Sequence, residues 1–267
     1  MPLPLAVQLY TFRDPVRFGG AGMGLDIPTL TAIAEAGFLG VETVDVPGAD
    51  AVEARRVLAD LDLAITSSHT WADIADADGF ARAAGGIAEL GSRRIIVSGD
   101  GYPTVATVQS TIDRLVAASE VASRHGLRLG YHNHSAEMAI LDGTPVIDRL
   151  AAGVGDGVDF QVDIFWVVVG GAEPDSLIRR LGRRVVSLHV KDGVVLPTAA
   201  GGTEPFVNVP VGTGIVDPAG AIAAADADSS VEWLIVEFDH VAGSAIDAAR
   251  QSLVNLTSRG FGRGRAA

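Results

Sequence analysis

Short apolar runs rich in Val, Ile and Leu recur along this chain, separated by longer stretches whose apolar residues return at helical spacing. Eight runs stand out: Leu3 to Leu9, Leu39 to Val44, Leu63 to Ser68, Arg94 to Ser98, Arg128 to His132, Val158 to Asp163, Val185 to Val190 and Trp233 to Glu237. A parallel strand buried on both faces reads in this near-continuous way. Strand and helix in strict alternation predict βα units wound around one sheet. Between the runs, Ile112, Leu115, Val116 and Ser119 are expected to share one helix face, as are Ala245, Ala249, Ser252, Leu253 and Leu256. Gly37, Gly91 and Gly126 each stand just before a run, where a helix ends most easily in glycine.

Eight units in 267 residues fit one α/β domain, a single (β/α)8 barrel. The barrel is expected over residues 1–258, with 259–267 as a flexible C-terminal tail. The stretch from Asp192 to Val211 lacks periodicity and is expected to be a long loop over the barrel mouth. Within the same region, Gly212-Thr213-Gly214 reads as turn-forming backbone, because it lacks the spacing of a dinucleotide-binding loop.

Composition sharpens this picture. Hydrophobic residues make up 48% of the chain, enough for a large core. Asp and Glu outnumber Lys and Arg by 33 to 20, so the net charge of -13 repels nucleic-acid backbones and anionic membrane surfaces. Neither is expected as a partner. No cysteine is present, which excludes thiolate metal sites and disulfides. The longest apolar runs are too short to span a bilayer, and a cytoplasmic protein is the expectation. The oligomeric state stays open, a homo-oligomer included.

In a barrel of this kind, chemistry collects at the carboxyl ends of the strands. Here these positions are polar in every unit: Gln8, Glu42, His69, Asp100, His132 with His134, Asp163, His189 with Lys191, and Glu237. Alternation along an extended strand sends His132 and His134 to the same side. Asp163 and Glu237 each close an apolar run, where an ionised carboxylate needs a cation beside it. For Asp163 the structural alternative is a helix N-cap, and for Glu237 a salt bridge to Lys191. Carboxylates and imidazoles converging from several strands suit a divalent first-row ion with positions open to substrate. Such an ion lowers the barrier to removing a proton beside a carbonyl, and a nearby carboxylate or imidazole serves as base. Trp166, Phe165, Trp71 and Phe12 follow strand ends and offer apolar walls for a sugar ring, or simple plugs for the mouth.

From Val7-Gln8-Leu9-Tyr10 to Val236-Glu237, nearly the whole chain resembles the xylose isomerase-like barrel superfamily, in particular its sugar phosphate isomerase/epimerase branch. The resemblance rests on Gly130-Tyr131-His132-Asn133-His134, on Val162-Asp163 with Trp166, on Leu188-His189-Val190-Lys191-Asp192 and on Trp233-Leu234-Ile235-Val236-Glu237, in the family's order. It implies a TIM barrel and a divalent metal, Mn²⁺ first, with Mg²⁺, Co²⁺ or Zn²⁺ as alternatives. The ligands would be His132, Asp163, His189 and Glu237. The implied activity is isomerisation or epimerisation of a keto sugar or related polyol, through proton abstraction and a metal-stabilised enediolate. Glu237 or His134 would move the proton, Lys191 would hold a substrate oxygen, and Gln8, Glu42, His69 and Trp166 would line the substrate. Most members carry glutamate where His132 stands; either Glu137, on the following loop, restores that carboxylate or His134 acts as the base. Branches with histidine there are similar to inosose dehydratase and 3-keto sugar enzymes, so a dehydratase or lyase acting on an inosose or 3-keto glycoside is the alternative. An endonuclease like that branch of the superfamily is disfavoured by the acidic balance. A non-catalytic sugar-binding barrel remains conceivable because fold does not fix function.

Overall fold

The computed structural model describes residues 2–13, 18–19, 22–23, 26–46, 50–99, 101–102, 104–195 and 206–265. Eight parallel strands alternate with helices: β1 (Leu3–Gln8), α1 (Ile27–Ala36), β2 (Gly40–Val44), α2 (Ala51–Asp60), β3 (Ala64–His69), α3 (Ala77–Leu90), β4 (Arg94–Ser98), α4 (Val105–Arg124) and β5 (Arg128–His132). The second half continues with α5 (Val146–Val154), β6 (Val158–Asp163), α6 (Ile164–Val169), α7 (Pro174–Leu181), β7 (Val185–Val190), α8 (Pro218–Asp228), β8 (Trp233–Val236) and α9 (Ala245–Ser258). Each strand hydrogen-bonds to the next, and β8 returns to β1 with Leu5, Ala6 and Val7 opposite Leu234, Ile235 and Val236. The sheet is therefore a closed barrel with no free edge. All eight expected strands are present, four with the expected bounds and four displaced by one residue at one or both ends.

Local chemistry starts and stops the helices. Asp26, Asp50, Asp76, Asp217 and Ser244 each accept a hydrogen bond from the first turn of the helix they precede. Thr104 and Thr107 form a reciprocal capping pair on α4. Gly37 and Gly91 end α1 and α3 in the left-handed conformation, at φ 104° and 98°, which favours glycine. The buried face of α4 runs through Val108, Thr111, Ile112, Leu115, Ala118 and Ala122, whereas Val116 points outward. The expected face pivots there because small alanines, rather than Val116, fit against the barrel wall.

Two segments depart from expectation. After β7, Gly193–Val195 pairs antiparallel with Phe206–Asn208, so the expected loop begins and ends as a ribbon; 196–205 lie outside the described residues. Asp192 anchors this region, its carboxylate accepting from the backbone N–H groups of Gly193, Gly212, Gly214 and Val216 at 2.8, 2.9, 2.8 and 3.0 Å. A Cβ on Gly214 would collide with that carboxylate, which gives Gly212-Thr213-Gly214 its physical reason. The chain end, expected as a loose tail, is instead tied down as far as 265. Gly262–Arg263 lies parallel to Leu3–Pro4, and Arg265 hydrogen-bonds to the carbonyls of Phe38, Leu61 and Asp62.

Candidate active site

Strand register brings the polar strand ends together. Gln8 lies opposite Glu42, Ser98 opposite His132, His132 opposite Gln161, and Asp163 opposite His189. These side chains meet at the carboxyl mouth, under a cavity of about 570 Å³ that is lined by Gln8, His69, Trp71, His132, His134, Glu237 and Asp239, among others.

At the centre, His132, Asp163, His189 and Glu237, from β5, β6, β7 and the end of β8, are all buried. One ligand atom of each lies within 4.8 Å of the others. His69, His132 and His189 form a second, overlapping group on the same criterion. The His132 and His189 ring centroids are 4.6 Å apart.

His189 stands between two carboxylates, with Nε2 2.5 Å from Glu42 Oε2 and Nδ1 2.8 Å from Glu237 Oε2. Carboxylates only accept, so both bonds are made only by the doubly protonated ring. Burial works against that charge, but Glu237 and Glu42 outweigh it and push His189 up to about 10. For Glu42, burial would raise the value; His69, His189 and the hydrogen bonds from His189 and Ser67 hold it down at about 2. Burial likewise opposes ionisation of Glu237, which Lys191 and His189 nevertheless hold well below the usual carboxylate range. His132 differs. Burial, reinforced by His189, His134 and His69, drives it well below the ordinary imidazole value, so it is neutral.

Lys191 is buried with Nζ 3.1 Å from Asp163 Oδ2, 2.8 Å from Glu237 Oε2 and 2.8 Å from Asp239 Oδ2. The salt-bridge alternative for Glu237 is therefore realised. Asp163 is also the N-cap of α6, its Oδ1 accepting from Trp166 N at 3.0 Å. Its Oδ2 is attracted by Lys191 but lies outside hydrogen-bond geometry. Among the described residues, Asp163 Oδ2 and Trp166 Nε1 are the two buried side-chain polar atoms without a hydrogen bond. Burial raises the Asp163 pKa, against the pull of Lys191 and His189.

Two expected roles change. Glu42 does not line the cavity: it lies fully buried beneath, accepting from Gln8, Ser67, Gln161 and His189, which leaves no lone pair facing a substrate. Glu137 does not supply the missing carboxylate to the central group. Its oxygens accept from Tyr131 OH at 2.6 Å and from the His134 backbone N–H at 2.9 Å, so it shapes the turn carrying His134. His134 lines the cavity with its ring 5.6 Å from Trp166. Trp166 itself packs against Phe165 and Phe206, behind the mouth. Asp100 lies outside the described residues.

Gln161 and Asp239 escaped the sequence reading. Gln161 stands two residues before Asp163 and so faces the same way, a signal available from alternation. Asp239 follows the last strand, where its backbone N–H is held by Asn208 Oδ1 at 2.7 Å.

A closed parallel barrel with inward-facing carboxylates and imidazoles at its carboxyl mouth defines the class of molecule. The model of the xylose isomerase-like TIM barrel family matches residues 30–258, and the chain belongs to that family. Among solved structures, a sugar phosphate isomerase/epimerase from Parabacteroides distasonis is similar at 17% identity, covering 98% of this chain and 96% of that one, with a TM-score of 0.78. The zinc-bound IolI protein is similar at 15% identity over 96% and 99% of the two chains, with a TM-score of 0.74. A probable 3-DHS dehydratase from Bacillus anthracis is similar at 16% identity over 96% and 100%, with a TM-score of 0.71. No curated protein matches. Among the described residues, no helix is long and apolar enough to cross a membrane.

Proposed function

We propose that this protein is a divalent-metal-dependent isomerase or epimerase of a keto sugar or related polyol. His132, Asp163, His189 and Glu237 would hold the ion, with His189 giving up one ring proton to free a nitrogen for it. The observation carrying this reading is the convergence of their ligand atoms within 4.8 Å, with Asp163 Oδ2 left unbonded in a buried site. Charge supports it: four carboxylates, Glu42, Asp163, Glu237 and Asp239, surround only two cations, His189 and Lys191. A dication offsets that excess, and two imidazoles with two carboxylates suit Mn²⁺, Co²⁺ or Zn²⁺. When bound, the ion supplies positive charge beside a substrate carbonyl and so eases loss of the neighbouring proton.

The chain's own groups divide the remaining work. Glu237, ionised and on the cavity wall, accepts the proton. His134, also on that wall, returns one. Lys191 turns toward Asp239 as the Asp163 and Glu237 oxygens are recruited, keeping its charge paired.

The position of His132, where an imidazole stands on the wall in place of a carboxylate, favours a second reading. Return of a proton from His134 to a leaving hydroxyl, rather than to carbon, would give elimination from an inosose or 3-keto glycoside after the same first step.

Metal-loaded protein incubated with keto sugars and inososes in D₂O tests both. Expected are about one Mn²⁺ per chain and deuterium at the carbon beside the carbonyl. A product of unchanged formula indicates isomerisation, and loss of one water indicates elimination. Absence of both stoichiometric metal and exchange would sink the proposal.

A further inference from the structure

Beneath the four central side chains lies a layer of buried polar residues that makes no contact with the cavity. Gln161 is fully buried there. Its Nε2 donates to Glu42 Oε1 at 2.7 Å and to Ser187 Oγ at 3.1 Å. Its Oε1 lies 2.7 Å from His69 Nε2 and 2.9 Å from His132 Nδ1. Glu42 in turn receives Gln8 Nε2 at 2.8 Å, Ser67 Oγ and His189 Nε2.

We propose that Gln161, oriented by Glu42, is a positioning residue that fixes the tautomers of His132 and His69, so that His132 keeps its proton on Nδ1 and offers Nε2 as the ligand nitrogen.

The argument is one of donors and acceptors. Glu42 is a carboxylate with donors on both oxygens, so the Gln161 atom facing it must be the amide nitrogen. The reversed amide would set two acceptors against each other in a buried site, where an unmade bond is costly. The Gln161 carbonyl therefore faces the two histidines. An amide oxygen has two lone pairs, enough for one N–H from each ring. A neutral imidazole has a single proton, so a proton on His132 Nδ1 leaves Nε2 bare. That nitrogen is the one on the Asp163 side, 3.9 Å from Asp163 Oδ2. Likewise His69, protonated on Nε2, keeps Nδ1 as an acceptor. A metal-binding histidine commonly has its second nitrogen held by a hydrogen bond, and loss of the partner weakens binding. What distinguishes this site is one neutral amide serving two rings, with its own orientation set by a carboxylate that touches neither the cavity nor His132.

The value of this layer to metal binding rests on the functional reading above; the tautomer assignment does not. Long-range ¹H–¹⁵N spectra of the metal-free, histidine-labelled protein near neutral pH test it. Wild type is expected to show His132 protonated on Nδ1 and His69 on Nε2. In Gln161→Met, which keeps the volume but loses both functions, His132 is expected to become a mixture of tautomers, and Zn²⁺ affinity by calorimetry to fall about 10- to 100-fold. Glu42→Gln, which removes the charge that orients Gln161, is expected to disturb the His132 tautomer as well; it also changes His189 and His69, whose rings lie beside His132, so it supports the proposal only together with Gln161→Met. His132 carrying its proton on Nε2 in wild type overturns the proposal, as does an unchanged tautomer in both variants. Should either variant fail to fold, the wild-type spectrum decides alone. Wild type with the expected tautomers but no Zn²⁺ binding upholds the assignment and instead removes the metal reading.

Discussion

At the amino end of the barrel, Arg94 donates two hydrogen bonds to Glu232 at 2.9 Å each and lies 3.3 Å from Asp159, which Arg128 reaches at 2.5 Å. Two cations meet two carboxylates, and each charge has its partner. At the carboxyl end, four carboxylates meet two cations, and one buried carboxylate oxygen has no hydrogen bond. Both clusters lie inside one ring of strands, so the contrast reflects what each end is for. A balanced cluster closes the barrel and holds β4, β5 and β6 together. An unbalanced one is what the proposed cation site would require.

The largest expected effect is at the mouth. Glu237→Gln keeps the shape but removes the charge, and turnover of the substrate found in D₂O is expected to fall by about 10²–10⁴-fold, with loss of bound metal. Steady-state kinetics with elemental analysis checks this. A fully active, metal-free variant would overturn the functional contrast between the two ends.

Next is the pH response of the metal-free protein. Glu42 is held at about 2 against an ordinary 4.5, so its stabilisation is complete above 4.5 and fades as pH falls toward 2. The shift corresponds to about 3 kcal/mol. His189 is raised from 6.5 to about 10, so its contribution is complete below 6.5 and disappears as pH rises through 10. Stability by denaturant titration is thus expected to peak between 4.5 and 6.5, the ordinary values of the two groups. A flat profile would show that the Glu42–His189 bond contributes little.

Smaller and opposite effects separate Asp159 from Asp163. Asp159→Asn strands the charges of Arg94 and Arg128 and is expected to cost about 2 kcal/mol, less than a fully buried pair because Arg128 is half exposed. Asp163→Asn keeps a capping oxygen for α6 while removing an ionisable group whose pKa burial raises. Its sign is reversed: an acid raised on folding destabilises above its folded pKa, so the metal-free variant is expected to match or exceed wild type in stability. Equal losses at both sites would erase the distinction. Smallest is Trp166→Phe, which removes a buried N–H without a hydrogen bond and is expected to leave KM and kcat little changed and to shift stability in denaturant titration by about 1 kcal/mol or less.

Much of this was legible in the chain. Both-face burial stamps each barrel strand with its own apolar run, so all eight could be read independently, and the polar residue ending each run marked the mouth. Pairings between strands were less visible. Nothing local to Gln161 says that Glu42, far away in sequence, orients its amide; that follows from barrel closure and register. Asp239 was hidden for a related reason, since its placement depends on Asn208, on a different loop. Glu42 looked like a mouth residue because it sits near a strand end, yet β2 continues past it to Val44 and buries it. The chain end carried a weak apolar signature, Phe261 alone packing on the core, and is otherwise held by backbone pairing and by one arginine on three carbonyls.

That last pairing has a topological consequence. With Leu3 opposite Gly262 in register, the first and last described stretches of backbone run side by side. A short peptide bridge could join them, and the ring of βα units could then be opened at a different turn on the amino face without separating any two strands that now touch. The order in which the units are read out is thereby decoupled from their arrangement in space, which makes this molecule a candidate for circular permutation.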